Sequence, residues 1–355
     1  MAIVKYNVIG VMSGTSLDGV DIVYVRFQLT KTWHFDIVAA ETIPYTAEWH
    51  NTLKNLVSIS NDDLLEIDKK YTVYLSEVIN SFIQKNNIKN IDAICSHGHT
   101  ALHQPNKKLT YQIGNLRKLA SLLRNKVVCD FRVQDVALGG QGAPLVPIGD
   151  MLLFSQYDYC INLGGFANVS YDLKNKRTAF DICPVNIVLN YYANLLGHDY
   201  DDKGKIAATG TLNMALLEQL NMLSFYHKHP PKSLGLEWVN THIFPLIKAF
   251  NLEINDVLRT FTEHIAAQIV AVIGTKRSKS VLITGGGAYN SFLIERIKAQ
   301  SNTGIMIPSK TIVEYKEALI FGFLGVLRLR GDVNCLQSVT GAEKNHSSGK
   351  IYIPD

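Results

Sequence analysis

Hydrophobic positions recur along this chain at two spacings, and the spacing changes from segment to segment. Val4 to Val11 is rich in β-branched residues and runs into Met12-Ser13-Gly14-Thr15-Ser16-Leu17-Asp18-Gly19, a stretch of mostly small and polar residues. Val20 to Leu29 is a second β-rich run, and Trp33, Phe35 and Ile37 open a third by alternation. Three such runs with short connections predict an antiparallel meander. The spacing then becomes helical. Leu64, Ile67, Tyr71, Leu75, Val78 and Phe82 step by three and four and define one helix face, with Ser60 placed to cap it and Asp63 at N3. Ile91 to Cys95 reads as a short buried strand that ends in the polar run Ser96-His97-Gly98-His99-Thr100. A helix over about 116–124 and a strand over 126–129 follow. The order β-β-β-α-β-α-β predicts a mixed sheet flanked by helices.

The opening pattern then returns. Tyr159 to Leu163 is a strand, Gly164-Gly165-Phe166-Ala167-Asn168 a glycine-containing turn, and Val169 to Leu173 and Arg177 to Phe180 two further strands before a helix at about 184–196. Strand, small-residue turn, strand thus occurs twice, which predicts two related α/β domains. Later, 260–273 reads as helix, and Val281 to Ile283 as a strand breaking into Thr284-Gly285-Gly286-Gly287. Asn290 caps a helix over 291–299, and a last helix, apolar almost all round after Glu317, covers about 314–329.

Length supports the same division, because 355 residues exceed what one hydrophobic core usually sustains. The predicted boundaries are 1–128 for an N-terminal domain and 129–345 for a C-terminal one, with the tail 346–355 packing back on the first. Composition narrows the function classes. With 47% hydrophobic and 19% charged residues the chain is globular rather than disordered. A net charge of +4 with no long basic run gives no electrostatic support for binding nucleic acid. No stretch of ~18 apolar residues is present to span a membrane. Cys95, Cys129, Cys160, Cys183 and Cys335 are odd in number and form no CxxC pair, which fits reduced thiols in a cytoplasmic enzyme.

Several short motifs offer chemistry. The turn Ser13–Gly19 can present amides and hydroxyls to an anion, with Asp18 holding Mg²⁺ through water; it also reads as an ordinary hairpin turn. Gly164-Gly165 and Gly285-Gly286-Gly287 sit where a nucleotide can approach backbone, or simply where a chain turns tightly. Neither GxGxxG nor GxxxxGK[ST] is present, so the Rossmann fingerprint and the Walker loop are excluded. Asp181, read as lying between a strand end and a helix start at Pro184, is either a general base in an interdomain cleft or a turn residue. Glu317, read as starting the last helix, is either functional or a partner of the helix dipole. Arg132 can fork onto a carboxylate or phosphate, or pair with Asp130 or Asp135. His97, His99 and His103 lie close together but lack a convincing metal-ligand spacing.

Taken in order, these segments resemble the anhydro-N-acetylmuramic acid kinase family. The resemblance runs through Gly10 to Asp21, Ser96-His97-Gly98, Asp130-Phe131-Arg132, Gly139 to Pro147, Leu163-Gly164-Gly165 and Thr284 to Asn290, from about residue 8 to 330. It implies the two-domain actin/Hsp70/sugar-kinase (ribonuclease H-like) fold with ATP and Mg²⁺ in an interdomain cleft. The implied enzyme is a homodimer of cell-wall recycling with an amino-sugar substrate. By the same resemblance Asp181 is the catalytic aspartate. Glu317 binds substrate, with His97, Thr100 and Arg132 as further contacts. Ser13, Gly14, Thr15, Ser16, Leu17, Asp18, Gly19, Val20 and Asp21 form the phosphate loop, and Gly164, Gly165, Gly285, Gly286, Gly287 and Asn290 contact nucleotide.

Two departures stand out. Where the family often has Asp-Thr-Gly-Pro-Gly-Asn, this chain has Asp181-Ile-Cys-Pro-Val-Asn186, and His99 replaces a usual glutamine with a group that titrates. Two other readings compete with the kinase implied. One is a related kinase for another sugar or a small carboxylic acid; the other is a non-catalytic nucleotide sensor, disfavoured because a sensor needs no base. A repressor of this fold would need a helix-turn-helix extension, and a plain glycosidase would not need paired phosphate loops.

Overall fold

The computed structural model describes residues 3–14, 17–56 and 59–355. Its strands are β1 Val4–Ser13, β2 Val20–Leu29, β3 Trp33–Ile43, β4 Ala93–Gln104, β5 Leu109–Ile113, β6 Val127–Cys129, β7 Tyr159–Leu163, β8 Phe166–Leu173, β9 Lys176–Pro184, β10 Ser280–Thr284, β11 Gly304–Met306 and β12 Lys350–Tyr352. They fall in two compact units, Met1–Leu153 with Tyr315–Asp355, and Phe154–Glu314.

In the first unit the sheet order is β12-β6-β4-β1-β2-β3, with β5 paired to β4. β1, β2 and β3 form the expected antiparallel meander, while β4 and β6 run parallel to β1. In the second unit the order is β11-β10-β7-β8-β9. There β7, β8 and β9 form the meander and β10 and β11 run parallel to β7. With β5 and β12 of the first sheet set aside, and the remaining strands numbered within each unit, both sheets read 5-4-1-2-3 with the same strand directions. The two-fold reuse of one topology, with helices as crossovers between its parallel strands, is the ribonuclease H-like plan of the actin and sugar-kinase fold.

Alternation along each strand divides the core. On one side of the first sheet, Ile9, Val11, Val20 and Ile22 pack with Tyr71, Leu75, Ile79 and Phe82 of the Asn61–Lys85 helix. Ser60 caps that helix as the sequence predicts, its side chain accepting from the Asp63 amide. On the other side Phe27 meets Phe323 of the Lys310–Arg330 helix at 5.3 Å between ring centroids. That helix comes so close to β1 that a Cβ on Gly10 would lie 2.0 Å from the Ala318 carbonyl oxygen. The second unit closes around Ile161, Leu163, Val188, Phe261, Ile265 and Ile283.

Four sequence expectations shift. The chain leaves the first unit after residue 153 rather than 128 and rejoins it at 315. The segment after β6 stays there because Phe131 packs on Phe321 and Asp150 pairs with Lys316 at 2.7 Å. β4 continues through Gln104 instead of ending at Cys95, since β5 folds back on it and pairs His99 through Gln104. Asp181 lies inside β9, which runs to Pro184, rather than ahead of a helix. Glu317 lies two turns into a helix that starts at Lys310, not at its first turn.

Candidate active site

Asp181 is positioned by two backbone contacts from a distant loop. Its amide donates to the Lys232 carbonyl at 3.1 Å, and its Oδ2 accepts from the Leu234 amide at 2.8 Å. Oδ1 has no hydrogen bond among the described residues. Burial raises the carboxyl pKa above the usual 3.8, and the Leu234 amide pulls it partly back. The loop is itself anchored: the Lys232 ammonium donates to the Phe225 carbonyl and lies 4.7 Å from that ring's centroid. The result is a half-buried carboxylate with one fixed oxygen and one open lone-pair set.

Three backbone turns meet in the same unit. Gly164 and Gly165 connect β7 and β8, and their carbonyls accept from Asn186 and Val185 at the start of the Asn186–Leu195 helix. Gly286 and Gly287 follow β10, where added Cβ atoms would stand 3.9 Å and 3.5 Å from the Asn186 carboxamide. Gly285 has φ +82, and a Cβ there would meet Asn162 Oδ1 at 2.6 Å, so glycine is needed for packing. Above Gly165 and Gly286 nothing stands closer than 3.9 Å, which leaves room for a ligand to approach backbone. Asn290 serves the next helix as N-cap, its Oδ1 accepting from the Leu293 amide at 3.0 Å.

The first turn divides its residues among different tasks. Thr15 and Ser16 lie outside the described residues. Ser13 is buried, and its Oγ contacts Tyr45 Oη at 2.5 Å, Tyr71 Oη at 2.8 Å and His99 Nδ1 at 2.8 Å. Three partners exhaust a hydroxyl with one donor and two acceptor sites, so the Ser13 hydroxyl holds the turn and only the backbone of Ser13 is left to meet an anion. Val20 is in the core and can offer only backbone. Asp21 accepts from Thr42 Oγ1 at 2.6 Å. Gly14, Leu17, Asp18 and Gly19 remain at the turn itself, with Leu17 at φ +62 and Asp18 exposed. A Cβ on Gly19 would lie 2.4 Å from the Ile43 carbonyl oxygen.

A third group centres on Arg132. Its Nε donates to His97 Nε2 at 2.8 Å and its Nη1 to the Gly142 carbonyl at 2.6 Å, so it pairs with neither Asp130 nor Asp135 by hydrogen bond. The His97 Nδ1 lies 2.8 Å from the Gly98 carbonyl, which can only accept. His97 is therefore the neutral Nδ1–H tautomer, with Nε2 free to accept from arginine. Burial, then the Arg132 charge, hold its pKa well below the usual value, which keeps it neutral. Glu317 is reachable by solvent but set among enough protein to be desolvated. That raises its pKa, against the opposing pull of Arg132 and Lys316. Thr100 is half-buried on β4, opposite Gln112.

The profile of the anhydro-N-acetylmuramic acid kinase family matches residues 6–354. The chain belongs to that family. It is 33% identical over 383 residues to the anhydro-N-acetylmuramic acid kinase of Haemophilus influenzae, covering 98% of each chain. It is 34% identical over 364 residues to that of Pseudomonas savastanoi, covering 97% of this chain and 98% of the relative. Two solved structures are more distant. The activator of 2-hydroxyisocaproyl-CoA dehydratase from Clostridium difficile, with bound ADPNP, has a TM-score of 0.42 at 15% identity, over 91% of this chain and 97% of that one. Component A of (R)-2-hydroxyglutaryl-CoA dehydratase from Acidaminococcus fermentans has 0.45 at 13%, over 88% and 95%.

The two departures from the family pattern have a physical account. Cys183 and Val185, which stand where glycines are common, are buried in the core of the second unit. Added apolar area there replaces backbone freedom. His99 does not titrate near neutrality, because burial brings its pKa down to about 4. The three neighbouring histidines do not converge on a metal: His97 serves Arg132, His99 serves Ser13 and His103 contacts Thr110 at 3.1 Å. The sequence reading missed Lys232 and Leu234, the clamp on Asp181, and Tyr45 and Tyr71, the anchors of Ser13. Pro230-Pro231-Lys232 reads only as a loop, and Tyr71 only as one member of an apolar stripe.

Proposed function

We propose that the chain is an ATP-dependent kinase that converts 1,6-anhydro-N-acetylmuramic acid, ATP and water into N-acetylmuramic acid 6-phosphate and ADP, opening the anhydro ring in the same event. The observation that carries this reading is Asp181: a desolvated carboxylate with Oδ2 fixed by an amide and Oδ1 open, in a chain matched by the family along nearly its whole length. An open, raised carboxylate suits a general base acting near neutral pH.

In this mechanism Asp181 takes a proton from water as the water oxygen bonds to the anomeric carbon. The C1–O6 bond breaks, and O6 forms a bond to the γ-phosphorus as the bond to the ADP oxygen breaks. Phosphorus captures the leaving oxygen, a task that a protonated acid performs in an inverting glycosidase. Glu317 and Arg132 bind and orient the sugar, with His97 holding the guanidinium and Thr100 as a further contact. The turns Gly164-Gly165 and Gly285–Gly287 take the nucleotide. The exposed Asp18 carboxylate suits a Mg²⁺ held through water, which neutralises phosphate charge. By the same family likeness the enzyme works as a cytoplasmic homodimer in cell-wall recycling.

The test is turnover in ¹⁸O-labelled water with Mg-ATP and the anhydro sugar, read by mass spectrometry before mutarotation exchanges the label. The expected product is a sugar 6-phosphate labelled at its anomeric carbon. An unlabelled phosphorylated product would rule out ring opening by water. No phosphorylated product, with ATP still bound, would move the assignment to another substrate.

A further inference from the structure

A buried cluster in the first unit has no part in the reaction above. Asp135, Cys335 and His346 are each at most 5% exposed. Among the described residues they are the only three His, Cys, Asp or Glu side chains whose ligand atoms all lie within 4.8 Å of one another. They come from two stretches of chain: Asp135 from the Val133–Ala137 helix, and Cys335 and His346 from opposite sides of an antiparallel bridge in the C-terminal tail.

The hydrogen bonds orient the cluster like ligands awaiting an ion. His346 Nδ1 lies 3.0 Å from the Lys344 carbonyl, so the ring proton sits on Nδ1 and the Nε2 lone pair faces inward. Nε2 is buried and without a hydrogen-bond partner. It stands 3.5 Å from Asp135 Oδ1. A direct imidazolium–carboxylate hydrogen bond closes to about 2.7–2.9 Å. Two ligand atoms on one tetrahedral ion, each about 2.0–2.1 Å from it, stand about 3.3 Å apart. The observed separation fits the second case better. Both carboxylate oxygens are held in place, Oδ1 by Thr340 Oγ1 and Oδ2 by the Gly142 amide, each at 2.7 Å. Such outer contacts fix the direction of metal ligands.

We propose that Asp135, Cys335 and His346 form a structural site for a borderline divalent ion of the Zn²⁺ class. The S, N and O donors suit such an ion and not Mg²⁺, which prefers oxygen alone. Three protein ligands leave one tetrahedral position for water. Binding breaks the Cys335 S–H bond, forms an S–metal bond and releases one proton to solvent. The carboxylate and thiolate then balance the dication, while Arg132 is the nearby cation that opposes it. Because the thiol must give up its proton to bind the ion, affinity rises with pH. An occupied site ties the tail to the helix that begins one residue after Arg132. This inference stands apart from the kinase assignment.

The test uses the full chain, reduced, stripped with a chelator and titrated with Co²⁺ alone. The expected result is one equivalent bound with a thiolate-to-cobalt charge-transfer band that Zn²⁺ abolishes by displacement. Cys335→Ser should lose the band, and His346→Gln should bind at least about 100-fold more weakly. Circular dichroism of the metal-free variants confirms that they fold; if Cys335→Ser does not, His346→Gln decides. No bound Co²⁺, binding without a thiolate band, or wild-type affinity in a folded His346→Gln would each overturn the site.

Discussion

At the scale of single residues, chemistry depends on which atom of a side chain is left free. Asp181 keeps one oxygen open because an amide 53 positions away holds the other. Asp181→Asn should fold, bind ATP and lose about 10²–10⁴-fold in kcat, the range a positioned base supplies; turnover within a few-fold of the parent would remove it from that role. Because the base must be ionised, kcat/KM should fall on the acid side at a pH above the ordinary carboxylate value of 3.8, and a pH–rate profile locates the limb. The sign for stability is opposite. The folded state holds this proton at a pH where the unfolded chain has released it, so stability falls as pH rises from the unfolded to the folded pKa. Urea midpoints across that window should decline less steeply in Asp181→Asn than in the parent. Little of this geometry was legible beforehand. Asp181 stands out in the sequence through its place after a predicted strand and through its family motif, but the loop that clamps it carries no signal that links it to β9.

At the scale of elements, patterning was the better guide. The Asn61–Lys85 helix, with its Ser60 cap, and the first meander follow directly from apolar spacing. Spacing failed where polar residues sit in strands. Ser96 to Gln104 carries histidines, glycine and glutamine, yet extends β4 because β5 supplies backbone partners. The Lys310–Arg330 helix shows what packing adds. It carries Glu317, and its approach to β1 depends on Gly10, where a Cβ would strike the Ala318 carbonyl at 2.0 Å. Backbone on both sides cannot move aside as a flexible side chain can. Gly10→Ala should therefore destabilise by at least about 1–3 kcal/mol, the usual result of overpacking, as measured by a lowered urea midpoint. A compensated variant with unchanged midpoint would show that the helix can shift.

At the scale of the whole molecule, the first unit is discontinuous in sequence. Residues 315–355 return to it and supply a core helix and the edge strand β12. Within that tail Asn334 is fully buried and bonds the Leu324 and Ser348 carbonyls, while Ser348 Oγ donates to the Phe131 carbonyl at 2.6 Å. Deleting residues 331–355 should lower unfolding free energy by more than about 3 kcal/mol, since several buried groups lose partners at about 1–3 kcal/mol each. A denaturant melt unchanged by the deletion would contradict this.

The sequence by itself determined the periodicity of each element, the reuse of one strand pattern and, through its ordered motifs, the family. Those properties are local, or are repeated often enough along the chain to be read in one dimension. Only the tertiary structure decided where the units divide, which oxygen of Asp181 is open, that His97 is a neutral acceptor for Arg132, and that Asp135 meets Cys335 and His346. Each of these depends on groups far apart in sequence brought within a few ångströms, and distance through space is what hydrogen bonding and desolvation respond to.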